Sequence, residues 1–237
     1  MKKESILKLI WLALFVGVLI MIIFPISFGF IRLGIVIGLV TLLISGTYLF
    51  WQNIFTRVVF GAIGLIVLCI AFLPGSNANT ETLRNAYVES LQGYEGVKYI
   101  WGGENKIGID CAALVREAYV DANIKVGVKT LNPKLVRNAF FVWWNDCGAD
   151  ALGNSYKGMT KLLFRAKSMD ELDYSTIIPG DIIVAEKGFH TFAYIGSNTY
   201  IEADPVKGKV VKVASSAKSK NWKDVPIKLM RWSDFKN

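Results

Sequence analysis

Residues 96–103 read Gly-Val-Lys-Tyr-Ile-Trp-Gly-Gly, and residues 108–115 read Gly-Ile-Asp-Cys-Ala-Ala-Leu-Val. The first stretch closes a turn-rich segment over 94–103. The second sets Asp110 and Cys111 in front of a mostly apolar run, 112–120, that reads as a largely buried helix. A cysteine attacks as its thiolate and needs a base nearby. At a helix start the dipole and the free amides favour negative charge, on a thiolate or on an oxyanion. His190 is the one histidine in the 237 residues, and it opens a short strand just after a turn. A cysteine at a helix start and a histidine at a strand start are what a Cys-His dyad requires. Spacing alone leaves two other readings open: His190 as a structural histidine, and Cys111 in a disulfide with Cys147. One histidine makes no zinc cluster, and no metal or cofactor is expected.

Downstream of Pro179-Gly180 the apolar period becomes two. Residues 181–185, 190–195, 200–203, 210–214 and 226–232 read as five short strands. Turn signals at Lys187-Gly188, Gly196-Ser197-Asn198 and Lys207-Gly208 separate the first four. Upstream, Asn79 or Thr80 caps a helix that reaches about Gln92, with Leu83, Ala86, Tyr87 and Leu91 on one face. Asn132-Pro133 starts another helix, carrying Phe140, Phe141, Trp143 and Trp144 and ending near Gly148. Trp143 and Trp144 read as core. Ser168 with Glu171 has the spacing of a capping box. Helices first and an antiparallel meander after is an α+β pattern.

The N-terminal third obeys different rules. Residues 1–74 hold only Lys2, Lys3, Glu4, Lys8, Arg32 and Arg57 as charges. Residues 9–31 and 33–56 are uncharged, and 58–73 form a third apolar run. A spanning helix takes about 20 apolar residues; the first two runs exceed this, and the third is marginal, extended backwards by Ile54 and Phe55 if Arg57 snorkels. Trp11, Tyr48, Trp51 and Phe55 lie near run ends, as in an aromatic belt. The first run is too long for a cleaved signal peptide, and no small-x-small site follows it. The organisation expected is an anchor of about three helices over 1–74, a linker over 75–79 and one domain over 80–237. Placing the N-terminus inside puts Lys2, Lys3, Lys8 and Arg57 in the cytoplasm and Arg32 outside, the favoured arrangement. Three spans then carry the domain to the outer face of the cytoplasmic membrane; two spans would leave it inside.

The net charge of +8 divides unevenly. Residues 1–74 supply five basic residues against one acidic, and the remainder supplies 22 against 18. No dense Lys/Arg stripe follows a phosphate backbone, so nucleic acid is not an expected partner.

Four segments together resemble the NlpC-type cell-wall cysteine peptidases. They are 96–103, 108–115, Pro179-Gly180-Asp181-Ile182-Ile183 and His190-Thr191-Phe192-Ala193-Tyr194-Ile195-Gly196. The family's pattern runs Y-x-W-G-G, then D-C-S-G-L-V at a helix start, then P-G-D-L, then H-V-G-I-Y-x-G. The resemblance implies a papain-like α+β domain, with a nucleophile helix packed on an antiparallel sheet that carries the base. It also implies hydrolysis of amide bonds in peptidoglycan stem peptides. By matching position, Cys111 is the nucleophile, His190 the base, and Glu202, twelve residues on, the third polar residue. Tyr99 matches an active-site tyrosine. Asp110 matches an aspartate that in some members binds the substrate amine, although a cap for the helix is an equal reading of it. Trp101 falls on the same substrate-side segment.

Three departures bear on substrate. Ala112 and Ala113 stand where Ser-Gly is usual, Phe192 replaces a glycine near the base and is a candidate to fill a subsite, and 121–177 is longer than the usual connection. Two further readings stay beside hydrolysis: a thiol acyltransferase or lipid-acting enzyme of the same fold, and a wall-binding module without activity. The expected partners are peptidoglycan and the lipid bilayer.

Overall fold

A computed structural model describes residues 3–173, 175–215 and 224–235 of the chain. Lys2 and the side chain of Lys3, both counted in the charge argument above, lie outside the described residues.

Three long apolar helices come first: α1 (Lys3–Ile23), α2 (Gly29–Leu49) and α3 (Ile54–Phe72). Each is long and apolar enough to cross a membrane. They run up, down and up. Lys8 of α1 lies 5.9 Å from the Phe50 ring at the end of α2, so the N-terminus and the α2–α3 turn share one end. The other end holds the α1–α2 turn and the exit of α3, and both touch the rest of the chain. Glu104 N–H donates to Pro25 O at 2.8 Å, and Arg137 Nη1 donates to Leu73 O at 2.9 Å.

Helix α4 (Thr80–Gln92) begins where Asn79 accepts a 2.9 Å bond from Thr82 N–H, and it buries Leu83, Ala86, Tyr87 and Leu91 as their spacing implies. Two short strands, β1 (Glu104–Asn105) and β2 (Gly108–Ile109), bring the chain to α5 (Cys111–Lys129). Helix α5 is longer than the run 112–120, because Val126 and Gly127 continue its buried face. Helix α6 (Pro133–Trp144) starts at an Asn132 cap with proline in its first turn. It ends at Trp144 and not near Gly148: Asn145 leaves helical geometry at φ −95°, ψ 59°, and a separate short helix, α7 (Ala149–Gly153), follows. The capping box at Ser168 does not form. Ser168 makes no side-chain cap, Glu171 accepts from Lys167 N–H at 2.9 Å, and only a 3-10 turn results.

The sheet has six antiparallel strands among the described residues, one more than expected. β4 (Ile182–Ala185), β5 (Thr191–Gly196), β6 (Thr199–Asp204), β7 (Lys209–Ala214) and β8 (Ile227–Trp232) match the five predicted. The sixth is β3 (Thr160–Ala166), and the spatial order is β3-β8-β4-β5-β6-β7. The β4–β5 turn depends on Gly188: its φ is +70°, and a Cβ there would lie 2.7 Å from the Asp150 backbone.

One face of the sheet packs on α5 through Ile182, Val184, Ala193, Ile201 and Met230, with Ala113, Leu114 and Tyr119 opposite, and α4 packs on α5 in turn. Tyr119 stacks on Trp232 with ring centroids 3.9 Å apart. A second cluster, including Ile183, Phe192, Tyr194, Tyr200 and Leu229, fills the other face. Asp181 of the Pro-Gly-Asp motif is fully buried and paired with Arg231 through two bonds of 2.6 and 2.8 Å. Its place is structural: it ties the entry of β4 to β8.

Candidate active site

Cys111 is the first residue of α5 and is partly exposed. Asp110 is the N-cap: its Oδ1 accepts from Ala113 N–H at 2.8 Å and its Oδ2 from Gly102 N–H at 2.9 Å. One carboxylate therefore fixes both the helix start and the preceding loop, which is the capping alternative for this residue.

His190 immediately precedes β5, and its carbonyl accepts from Ala185 N–H across the tight β4–β5 turn. The ring is buried, hydrogen-bonded to Cys111 on one side and to Glu202 on the other. The contact with Glu202 runs from Nε2 to Oε2 at 2.6 Å, which leaves Nδ1 for the sulfur. Burial by itself would lower the His190 pKa. The hydrogen bonds to Cys111 and Glu202, reinforced by their charges, outweigh it and hold the pKa at about 9. Glu202 lies on β6 and is itself buried. Asp204, the other carboxylate on that strand, accepts from Val206 and Lys207 N–H groups and closes the β6–β7 turn.

Tyr99 is half-buried beside the same site. Burial, then the charges of Cys111 and Asp110, push its phenol up to about 12, so it acts as a neutral hydrogen-bonding group at physiological pH. Trp101 extends into solvent at 82% exposure. The expected residues thus fall in two groups. Cys111, His190 and Glu202 form one connected chain with Tyr99 and Asp110 against it, and Trp101 stands out from it. Phe192 departs from the expectation that it fills a substrate subsite. It is buried in the second core cluster, edge-on to Tyr200 with centroids 5.4 Å apart. Cys111, Cys147 and Cys69 are all free, so the Cys111–Cys147 bridge is not formed.

One group of residues went unread in the sequence. Glu104, on β1, bonds to Arg32 of α2 and, at 2.8 Å, to Arg116 of α5; Arg116 also meets Asp146 at 2.8 Å. Both arginines are buried, and the Glu104 side chain is 7% exposed. Beside them burial pushes the Glu117 carboxyl up to about 8, the Arg116 charge opposing, and the buried Cys147 thiol up to about 11. The α1–α2 turn completes the junction: Ile26 bridges Gly103, and Asn105 Nδ2 donates to Ile23 O at 3.0 Å. No local pattern signals ion pairs over such separations; charge inside an apolar run, at Arg32, was the one available hint.

The fold and this geometry define a papain-like arrangement of helix and sheet. The NlpC/P60 family pattern matches residues 96–231, and the chain belongs to that family. Among solved structures it is similar to NlpC2 of Trichomonas vaginalis, at 19% identity and a TM-score of 0.43, covering 66% of this chain and 49% of that one. It is similar also to the peptidoglycan hydrolase RipB of Mycobacterium tuberculosis, at 17% identity and a TM-score of 0.41, covering 70% of each chain. The P60 domain of an antigen of M. avium subspecies paratuberculosis matches at 14% identity and a TM-score of 0.39, covering 64% of this chain and 96% of that one. The chain thus spans about half the length of the Trichomonas protein. No curated protein matches it.

Proposed function

We propose that this protein is a membrane-anchored cysteine peptidase that hydrolyses amide bonds in peptidoglycan stem peptides. The observation that carries the reading is the connected chain Cys111–His190–Glu202, in which Glu202 meets Nε2 of a buried ring that also bonds to the partly exposed Cys111. Family membership supports the substrate class. In this reading 1–74 is the anchor, 75–79 the linker and 80–237 the catalytic part.

The chemistry follows from the roles the geometry allows. Cys111 Sγ, as thiolate, attacks the scissile carbonyl carbon. The oxyanion that forms lies near the amides of the first turn of α5. His190 Nδ1–H gives its proton to the departing amine, the C–N bond breaks, and a thioester remains on Cys111. Neutral His190 then takes a proton from water, hydroxide attacks the thioester, and the thiolate returns with a free carboxylate as product. Glu202 holds one tautomer and stabilises the imidazolium. Tyr99, neutral and beside the sulfur, and Trp101, exposed on the same loop, are proposed to bind substrate. Asp110 sets the pose of that loop.

Digestion of purified wall fragments by the full chain in detergent tests the reading. New amine and carboxyl ends within stem peptides are expected by mass. Transfer of an acyl group to an added amine without hydrolysis would move the protein to the acyltransferases, and absence of any product would leave a binding module.

Topology gives a separate expectation. If α1–α3 all cross the membrane, the N-terminus and the catalytic part lie on opposite sides. Lys8 and Arg57 lie at the end away from the domain, whereas Arg32, at the near end, is consumed by Glu104. The basic flank then faces the cytoplasm. A tag placed after Asn237 is expected to be degraded by protease added to cells with a permeable wall. A tag cleaved only after lysis would put the domain inside.

A further inference from the structure

Helix α6 and its turn from α5 belong to the long connection over 121–177, which the proposed mechanism does not use. We propose that they form an interfacial platform seated in the bilayer leaflet nearest the catalytic part, with lipid acyl chains covering the apolar face they expose. The inference rests on reading α1–α3 as membrane spans.

The first argument is position. Helix α6 has 12 residues, a length of about 18 Å. Its first half is held at the exit of α3, where Arg137 Nη1 donates to Ile70 O at 2.5 Å and Leu73 O at 2.9 Å. Its last turn reaches the start of α2, where the Arg32 guanidinium lies 5.6 Å from the Trp143 ring. The helix therefore bridges the same-side ends of two spans and lies across them. That is the posture of a helix lying in a membrane surface.

The second argument is composition by face. Leu135, Ala139 and Val142 are buried, at the spacing of one helix face. Val136, Phe140, Trp143 and Trp144 make the adjoining stripe; Phe140 is 52% exposed, and Trp144, expected in the core, is 41% exposed. The stripe continues onto the end of α5, where Val128 is 63% and Leu131 88% exposed. So many large apolar groups in one run mark a surface that water does not cover. Lys129 and Lys134 lie beside it, positive as anionic headgroups require, and Trp at the boundary is the usual interfacial choice.

The third argument is continuity with the span. A cavity of about 530 Å³ opens between α3 and the α5–α6 turn, with Leu65, Ile66 and Cys69 on one wall and Val128, Leu131 and Val136 on the other. Its α3 wall extends from Leu65 to Leu73, about 12 Å along the helix axis. The turn therefore reaches well below the end of α3, beside residues that face lipid if α3 spans. A space with one wall on a lipid-facing helix, in contact with acyl chains, is filled by them. Cys111 is at the opposite end of α5, at most about 27 Å away along a straight helix. Such a seat would hold the nucleophile at a set height from the membrane.

The test uses the full chain in vesicles of phosphatidylglycerol and phosphatidylethanolamine. A photoreactive diazirine amino acid replaces Leu131, Phe140, Leu65 or Val206 in turn, the last being exposed at the β6–β7 turn. After irradiation the protein is weighed for lipid adducts. Lipid adducts are expected at Leu131 and Phe140 at a yield comparable to Leu65, and none at Val206. Adducts at Leu65 with only water products or protein cross-links at Leu131 and Phe140 would overturn the platform and leave the spans standing. No lipid adduct at Leu65 would overturn the spans and the platform together.

Discussion

Cys111→Ala is expected to reduce hydrolysis of stem peptides to the uncatalysed background, because no other group in the site can form the thioester. His190→Ala should lower the rate by about 10²- to 10⁴-fold, the usual worth of a general acid-base group. Glu202→Gln keeps the shape and loses the charge, and a fall of about 10- to 100-fold is expected. The pH profile separates a charge effect from a packing effect. His190 is held at about 9 in the folded protein against 6.5 for a free histidine. The imidazolium needed to protonate the leaving amine therefore persists until the pH passes about 9, and the alkaline limb of kcat/KM should fall there. In Glu202→Gln the amide oxygen still accepts from Nε2–H, but no carboxylate charge opposes the effect of burial, so the limb should move to lower pH. The same sign applies to stability: the contribution of protonated His190 is complete below about 6.5 and is lost as pH rises through about 9. An unchanged rate and an unmoved limb in Glu202→Gln would remove Glu202 from the site.

The second large effect is on stability. Glu104→Ala removes the carboxylate shared by Arg32 and Arg116 and leaves two buried guanidinium groups with Asp146, which is 40% exposed, and for Arg116 also Glu117 at 3.7 Å. Breaking a buried pair from one side costs about 3–5 kcal/mol, which corresponds to a fall in Tm of roughly 6–20 °C for a chain of this size. Glu186→Ala is the comparison. Glu186 pairs with Arg165 at 3.3 Å on the surface, both about half exposed, and such pairs contribute about 0–1 kcal/mol. Thermal unfolding of the full chain in detergent distinguishes the two. Equal, small shifts for both variants would mean that the junction between α2, the loop before Cys111 and α5 does not depend on Glu104.

The reach of the sequence follows the range of the physics involved. The placement of Cys111 at a helix start, His190 at a strand start and Glu202 on the next strand was legible from local signals, an Asx cap, a glycine turn and a period of two, whereas the role of Glu202 came from the family resemblance. Strand β3 was not, since it is an edge strand with a register break between Leu162 and Phe164, which scrambles alternation. The tail of α5 was cut short because charged and polar residues interrupt its apolar run after Val120, although its face stays buried. The Ser168 cap failed for a local reason that pattern does not carry: Glu171 bonds to Lys167 N–H instead. Phe192 was placed on the substrate side because it follows His190 by two, yet the second core cluster claims its ring. The cluster of Arg32, Glu104, Arg116 and Asp146 joins residues up to 114 positions apart, and only the folded chain brings them together.

A stem peptide ending in a diazomethyl ketone, reacted with the full chain and located by peptide mass mapping, tests nucleophile and substrate class at once. One label per chain, on Cys111, suppressed by excess soluble stem peptide, is the result expected here. Labelling at Cys147 or Cys69 instead, or labelling of Cys111 that stem peptide does not suppress, would contradict it.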